Sequence, residues 1–171
     1  MTPVFVGLGS NLQAELNICS ALCLFKHLFA DVRHSTVYQT TAIGFSGPAF
    51  LNVVLGFHTL LTLAELKQYL RKLEYQYGRP CQATKFSSRT LDIDLLLYGD
   101  VVSSDGRLPH PDIQHYPFVL FPLAELAGDY VHSQWGSTLK MLAQASELSL
   151  ADMCPVTLAC GPACLAQDLL K

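Results

Sequence analysis

The apolar residues of this 171-residue chain change periodicity in a fixed order between the N-terminus and residue 98. Four segments are typical of β-strands: residues 3–8, 35–39, 50–60 and 91–98. Two segments repeat apolar side chains at helical spacing: residues 13–30 and 62–78. The order β-α-β-β-α-β predicts an α+β fold, a ferredoxin-like sandwich in which an antiparallel sheet carries two helices on one face. Two further C-terminal helices, predicted at residues 118–126 and 139–145, can add to the other face.

Short polar signals mark where several of these elements begin and end. Residues 62–65, Thr-Leu-Ala-Glu, form a capping box that opens the second helix, and Gly78 ends that helix. The first strand ends in a polar turn, where Ser10 or Asn11 is predicted to cap the first helix. Residues 99–108 begin with a turn and are predicted to form a short hairpin.

Composition favours one globular domain with a full core, since half of the residues are apolar and only 15% are charged. The N-terminus lacks the features of a signal peptide, and no apolar stretch reaches the roughly 20 residues that span a bilayer. We therefore expect a soluble, cytoplasmic protein without a membrane partner. Residues 1–146 are predicted to form the functional domain. The tail, residues 147–171, either packs on this domain or forms a dimer contact, and a monomer is the simpler expectation.

Six cysteines raise the question of a metal site or a disulfide. Cys19 and Cys23 are four residues apart, and Cys160 and Cys164 repeat that spacing. Neither pair has the spacing of a zinc ribbon, and no histidine pair completes a tetrahedral site. A cytosolic chain keeps its thiols reduced, so we expect buried, reduced cysteines with a structural role.

The net charge of −3 is unevenly distributed along the chain. Six of the eleven Lys and Arg residues lie in one window: Lys67, Arg71, Lys72, Arg79, Lys85 and Arg89. Lys67 and Lys72 fit a solvated helix face. The later basic residues lie in a polar loop at 79–90 that runs directly into a strand with two carboxylates. This arrangement favours an anion site.

The strand that follows begins with Asp92-Ile-Asp94. Side chains at i and i+2 of a strand point the same way, so both carboxylates leave one face of the sheet. Adjacent carboxylates repel each other unless a cation lies between them, and Mg²⁺ takes one or two carboxylates together with phosphate oxygens. Arg89 can reach such phosphates as a bidentate donor. Taken alone, the two aspartates are more typical of exposed residues on an ordinary strand than of a metal site, and the adjacent basic loop shifts the balance towards a metal site. The chain has no P-loop motif to bind a nucleotide in another way.

The segment Lys85-Phe-Ser-Ser-Arg89-Thr-Leu-Asp92-Ile-Asp94 resembles the signature of the 6-hydroxymethyl-7,8-dihydropterin pyrophosphokinases. Other landmarks of this family occur in the same order: Val6 to Asn11, Tyr38 to Gly44, Phe50 to Asn52, Leu73 to Arg79, Leu108 to Pro111 and Phe118 to Leu123. The resemblance runs from about residue 3 to residue 143. It implies a transferase of folate biosynthesis that moves pyrophosphate from ATP to the pterin hydroxymethyl group.

The resemblance also implies a role for individual residues. On the pterin side it assigns a hydrogen bond to Asn52, backbone contacts to Thr40 and Ala42, and ring stacking to Phe118. On the nucleotide side it assigns ATP or phosphate contacts to Arg71, Glu74, Arg79, Lys85, Arg89 and His110. Asp92 and Asp94 are implied to hold two Mg²⁺ ions that bridge the ATP phosphates, so the implied catalytic set is Arg79, Arg89, Asp92 and Asp94.

The chain departs from the family pattern at several positions of this site. Cys81 and Tyr116 stand where the family has phosphate-contacting arginines, Phe86 stands in place of a tryptophan, and Phe50 in place of a tyrosine. Ser87 and Ser88 replace a small residue and a proline. These changes leave open a diverged paralogue that binds a pterin or a nucleotide with weak or altered activity.

No side chain in the signature is a strong candidate for a general base, so positioning and charge neutralisation are expected to supply most of the acceleration. The basic loop has no helical period, and we expect it to be mobile and to close over ATP. A nucleic-acid-binding module is the other reading of that loop. It is disfavoured because the sheet lacks clustered aromatics that stack on bases, and no nucleic-acid partner is expected.

Overall fold

The computed structural model describes residues 1–78 and 88–160 of the chain. Its strands are β1 (Thr2–Ser10), β2 (Ala30–His34), β3 (Val37–Thr40), β4 (Phe50–Thr59), β5 (Asp92–Tyr98), β6 (Val131–His132), β7 (Ser137–Thr138) and β8 (Cys154–Val156). Its helices are α1 (Ala14–Leu28), α2 (Leu63–Gln76), α3 (Asp112–His115), α4 (Pro117–Ala127) and α5 (Leu139–Ala145). The element order up to residue 98 matches the predicted one except for one additional strand, β2, which was not predicted and precedes β3, the counterpart of the predicted second strand.

The main sheet has six strands in the order β5-β1-β4-β3-β8, and β2 also pairs with β4. Every pairing in it is antiparallel. β1 lies between β4 and β5, and Gly9 lies opposite Asn52 on one side and Asp92 on the other. The α+β sandwich predicted from the sequence is therefore confirmed. Its register brings residues from distant parts of the chain to the same end of the sheet.

The two faces of the sheet bury separate apolar clusters. One face packs Val6, Leu55 and other strand residues against α1 and α2, with Phe25 and Leu66 at its centre. The opposite face packs Phe5, Val54 and Leu96 against α3, α4 and α5. Alternation of side chains along each strand produces this division, because successive residues point to opposite faces. The C-terminal helices therefore cover the second face, as the sequence predicts.

The capping box of α2 is formed as predicted. The Thr62 hydroxyl accepts a bond from the Glu65 backbone N–H at 3.4 Å, and the Thr62 N–H donates to the Glu65 carboxylate at 2.8 Å. The hydrogen bonds from Thr62 lower the pKa of Glu65. At the other end Gly78 has φ of 84°, the left-handed conformation that commonly follows a helix and suits glycine.

Two predictions about element ends are wrong. Neither Ser10 nor Asn11 caps α1, whose N-cap is Gln13 with a left-handed φ of 47° and no capping side-chain bond. Both polar side chains instead bind backbone around residue 89, a contact that no local pattern reveals. Residues 99–108 form turns without strand pairing, stabilised by the Ser103 N–H donating to the Leu108 carbonyl.

The tail packs against its own chain as far as the structure describes it. β8 pairs with β3, the Ala159 N–H donates to the Glu15 carboxylate of α1 at 2.8 Å, and Cys160 forms a disulfide with Cys19. The expectation of reduced thiols is therefore wrong for this pair. Because a sequence separation of 141 residues hides their proximity, only the return of the tail across α1 brings the two sulfurs together. Cys23 and Cys154 are free thiols.

Among the helices of residues 1–78 and 88–160, none has the length and apolar character needed to cross a membrane.

Candidate active site

A cavity of about 210 Å³ opens where β1 ends and β4 and β5 begin, at the side of the sheet that faces α3 and α4. β1 lines this cavity with Gly7 and Gly9, which carry no side chain. A Cβ atom on Gly9 would lie 3.2 Å from the Asn52 side-chain oxygen. Glycine at this position therefore leaves space for Asn52 to face the cavity. The importance of these two glycines was not predicted from the sequence.

The polar end of the cavity contains Arg89, Asp92, Asp94 and Asp112. Asp92 and Asp94 open β5 and point to the same face, as the sequence predicts, while Ile93 between them is buried on the other. Asp112 comes from α3, and its presence here was not predicted. A guanidinium beside three carboxylates makes this end suitable for a cation and a phosphate together.

The apolar end of the cavity is lined by two pairs of aromatic rings. Phe45 and Phe50 meet edge to face with centroids 6.2 Å apart, and Tyr116 and Phe118 stack with centroids 5.1 Å apart. Rings at the wall of a cavity favour a flat heterocyclic ligand. Phe118 was predicted here, whereas Phe45 and Tyr116 were not assigned to the pterin side.

Asn52 and Thr40 lie side by side in this wall. The Asn52 amide donates to the Thr40 hydroxyl at 2.8 Å, and both residues are largely buried. This bond fixes the orientation of the amide, so that its oxygen remains available beside Gly9. Ala42 itself does not line the cavity, although its neighbours Thr41 and Ile43 do.

Glu74 and Arg71, predicted at the nucleotide, lie behind β5 and do not line the cavity. Glu74 is 4% exposed, and its carboxylate accepts a bond from the Ile93 N–H at 3.1 Å. Arg71 lies 3.6 Å from the same carboxylate and stacks on Tyr75. In the described residues the pair therefore connects α2 to the strand that carries the aspartates. Arg79 and Lys85 lie outside the described residues, as does most of the loop predicted to close over ATP.

His110 is beside the polar end but is not part of the cavity wall. Its backbone N–H donates to the Leu96 carbonyl of β5 at 2.9 Å. Burial lowers the pKa of His110, and the nearby charges of Asp112 and Asp92 oppose this only in part. The Asp112 N–H donates to Nδ1 at 3.3 Å, so a neutral ring carries its proton on Nε2. A neutral His110 can thus donate one hydrogen bond.

The described residues contain no group of three or more His, Cys, Asp or Glu side chains arranged to hold a metal ion. Mg²⁺ usually binds through one or two carboxylates and completes its shell with water and phosphate. Asp92 and Asp94 supply hard oxygen ligands of this kind at one end of the cavity.

An antiparallel α+β domain with carboxylates and an arginine next to an aromatic-lined cavity is suited to a flat ring beside a phosphate group. Comparison with known proteins makes the class specific. Residues 5–128 match the model of the 7,8-dihydro-6-hydroxymethylpterin-pyrophosphokinase family. The chain belongs to this family.

Individual relatives agree with this assignment. The chain is 37% identical over 142 residues to the 2-amino-4-hydroxy-6-hydroxymethyldihydropteridine pyrophosphokinase of Synechocystis, covering 80% of this chain and 72% of that protein. It is 34% identical over 144 residues to the protein of the same name from Aquifex aeolicus, covering 82% and 89%. It is also 37% identical over 130 residues to the folate synthesis bifunctional protein of Arabidopsis thaliana, covering 73% of this chain and 27% of that protein.

Solved structures share the fold. The HPPK-DHPS of Plasmodium falciparum, solved with SDX-DHP, superposes with a TM-score of 0.63 at 13% identity. The match covers 84% of this chain and 43% of the other, so this chain spans less than half of that larger protein. The same TM-score is found for an HPPK-DHPS crystallised with substrates, at 12% identity. At such identities the structures support the fold alone.

Proposed function

We propose that this chain transfers the pyrophosphoryl group of ATP to the hydroxymethyl group of 6-hydroxymethyl-7,8-dihydropterin, giving AMP and the pterin diphosphate. It is a pyrophosphokinase of folate biosynthesis by family membership. The observation that carries the proposal is that one cavity joins Asp92, Asp94 and Arg89 to Asn52 and Phe118. In the described residues, no feature favours a diverged paralogue or a nucleic-acid-binding module.

The aromatic end is suited to the pterin. Phe118 offers a ring face for stacking, and Phe50 lies across the same cavity. The Asn52 oxygen can accept hydrogen bonds from the pterin edge, since the amide nitrogen already donates to Thr40. Backbone groups near Thr40 and Ala42 complete the proposed pterin side. Shape and hydrogen bonding together would select a flat, polar-edged bicyclic ring.

The polar end is suited to ATP and magnesium. Asp92 and Asp94 would hold Mg²⁺, and we propose two ions, as expected from the sequence. Bound there, the metal supplies charge neutralisation on the phosphate oxygens. Arg89 lines the same end, and its guanidinium is proposed to bind a phosphate oxygen during transfer. Arg79 and Lys85 are proposed to add phosphate contacts.

His110 is proposed to donate to a phosphate oxygen. Burial lowers the pKa of His110, which favours the neutral ring, and the Nδ1 acceptor bond then leaves the Nε2 proton as the donor. Glu74 is proposed to act from the face of β5 that is opposite the cavity. There its carboxylate accepts a hydrogen bond from the Ile93 N–H and so fixes the strand between Asp92 and Asp94. Arg71 balances the charge of that carboxylate. The transfer then depends on placing the pterin oxygen in line with the β-phosphorus of ATP.

The assembly and the working compartment are also proposals. We expect a monomer, because the described part of the tail pairs with β3 and α1 of its own chain. Residues 1–146 are proposed to hold the complete site, with the tail acting on stability. We expect the enzyme to work in the cytoplasm, as predicted from the sequence.

Release of AMP from ATP and Mg²⁺, with and without 6-hydroxymethyl-7,8-dihydropterin, tests the function. We expect AMP formation that requires the pterin and is lost in Asp94→Ala. Asp129→Ala is the matched control, since Asp129 is exposed after α4 and does not line the cavity. A folded wild-type protein that forms no pterin-dependent AMP would refute the proposal.

A further inference from the structure

The turn between β1 and α1 binds the backbone of Arg89 at both of its polar groups. The Asn11 side-chain oxygen accepts a bond from the Arg89 N–H at 2.7 Å. The Asn11 and Leu12 N–H groups both donate to the Arg89 carbonyl, at 3.0 and 3.1 Å. Ser10 adds a bond from its hydroxyl to the Thr90 carbonyl. The backbone of Arg89 is therefore fixed, and its position relative to β1 is set by this turn.

The side-chain amide of Asn11 also binds the loop between β3 and β4, which contributes to the aromatic wall of the cavity. Asn11 Nδ2 donates to the Pro48 carbonyl at 3.2 Å and to the Ser88 hydroxyl at 3.2 Å. Pro48 lies in the loop between β3 and β4, which contributes Thr41, Ile43 and Phe45 to the cavity. One side chain thus joins the loop on the pterin side to the segment that carries Arg89.

Burial makes these bonds difficult to replace by water. Asn11 is 4% exposed and Ser10 is fully buried. A buried amide that loses its partners leaves donors and acceptors unsatisfied, which is costlier than losing an exposed bond. Asn11 lies outside α1, so its hydrogen bonds do not cap that helix.

We propose that Asn11 is a positioning residue, which acts through Arg89 on the phosphate side and through Pro48 on the pterin side. This inference rests on the proposed function. Removing the amide would let the Arg89 backbone and the loop between β3 and β4 shift independently. Because a small misplacement of a phosphate-binding group is expensive in transfer reactions, both ATP binding and turnover would suffer.

A binding cycle tests the connection to Arg89. The dissociation constant of a non-hydrolysable ATP analogue with Mg²⁺ is measured by calorimetry for wild type, Asn11→Ala, Arg89→Ala and the double variant. We expect Asn11→Ala to weaken analogue binding by about 5- to 20-fold in the wild-type background and by less than about twofold when Arg89 is absent. An equal loss in both backgrounds, or no loss in either, would overturn the proposal.

Asn17→Ala is the matched control, because the Asn17 amide donates to the Leu12 carbonyl at 2.7 Å on the exposed side of the same turn. It should bind the analogue and turn over like wild type, whereas Asn11→Ala should also lower kcat and raise KM for the pterin. If Asn11→Ala does not fold, Asn11→Ser replaces it, since its shorter side chain keeps polarity but cannot span to Pro48. Absence of pterin-dependent AMP from wild type would refute the proposed function, whereas additive binding losses would refute the role of Asn11.

Discussion

Tyr116 stacks on Phe118 with ring centroids 5.1 Å apart and planes inclined by 23°, and both rings line the cavity that contains Asp92 and Asp94. Tyr116 lies at the N-terminus of α4 and stands where the family resemblance implies an arginine. The chain therefore has an extended aromatic wall at a position where a phosphate contact was expected. The ring of Tyr116 packs against the ring of Phe118 and so stabilises its position in the cavity wall.

Loss of this stack should weaken pterin binding. An aromatic pair contributes about 0.5–1.5 kcal/mol beyond its buried area, which corresponds to roughly 2- to 12-fold in an equilibrium constant. We expect Tyr116→Leu to raise KM for the pterin by that factor, with KM for ATP little changed. Tyr116→Phe keeps the ring and should behave like wild type in steady-state assays. A rise in KM for ATP alone would contradict the prediction.

The carboxylates of β5 should set the magnesium requirement. Asp92→Asn retains the size of the side chain but removes the charge that attracts the cation. We expect the Mg²⁺ concentration for half-maximal activity to rise by about 10- to 100-fold. Asp105→Asn, an exposed residue of the 99–108 turns, is the control for loss of one negative charge. Unchanged magnesium dependence in Asp92→Asn would place the metal elsewhere.

The disulfide should stabilise the fold without serving the site directly. It closes a loop with a sequence separation of 141 residues and anchors β8 at the edge of the sheet. We expect Cys160→Ser to lower the free energy of unfolding by about 2–4 kcal/mol. Reductant should lower the melting temperature of wild type to that of the variant, whereas Cys154→Ser, which removes an exposed free thiol, should melt like wild type. A wild-type melting temperature insensitive to reductant would disprove this.

Buried His132 should make stability depend on pH. The residue is fully buried, and burial lowers its pKa despite the opposing charge of Asp100. The unfolded chain therefore takes up a proton near pH 6.5 while the folded one does not, so stability is complete above this pH and falls as the pH drops. His132→Gln should flatten the dependence of the unfolding free energy between pH 7.5 and 5.5, measured by denaturant titration. His27→Gln is the exposed control.

The element order and the acidic strand could be predicted from the sequence because their causes are local. Side chains two apart on a strand share a face, which is enough to place Asp92 and Asp94 together. The capping box at Thr62 and the turn at Gly78 depend on neighbours within four residues. The family motif then supplied Asn52 and Phe118, which line the same cavity as the aspartates.

The contacts that local patterns did not predict depend on residues far apart in the chain. Asn11 is read as a helix cap when only its neighbours are considered, yet its partners are at positions 48, 88 and 89. The Glu74 carboxylate accepts a hydrogen bond from the Ile93 N–H of β5, a partner 19 residues away that the sequence did not predict, and its role at the nucleotide stays a prediction. The Cys19–Cys160 bond was missed because the thiols were judged by the expected compartment.

The sequence by itself determined the order of strands and helices, the family and the residue types available for a phosphate and a flat ring. The antiparallel register of β1 decided the rest. It placed Asn52 and Asp92 on either side of Gly9 and brought Arg89 into hydrogen-bonding contact with the turn at Asn11. Space for a ligand remains between these residues. Local patterns follow from the geometry of a few residues, whereas such juxtapositions arise only when distant segments pair and exclude water together.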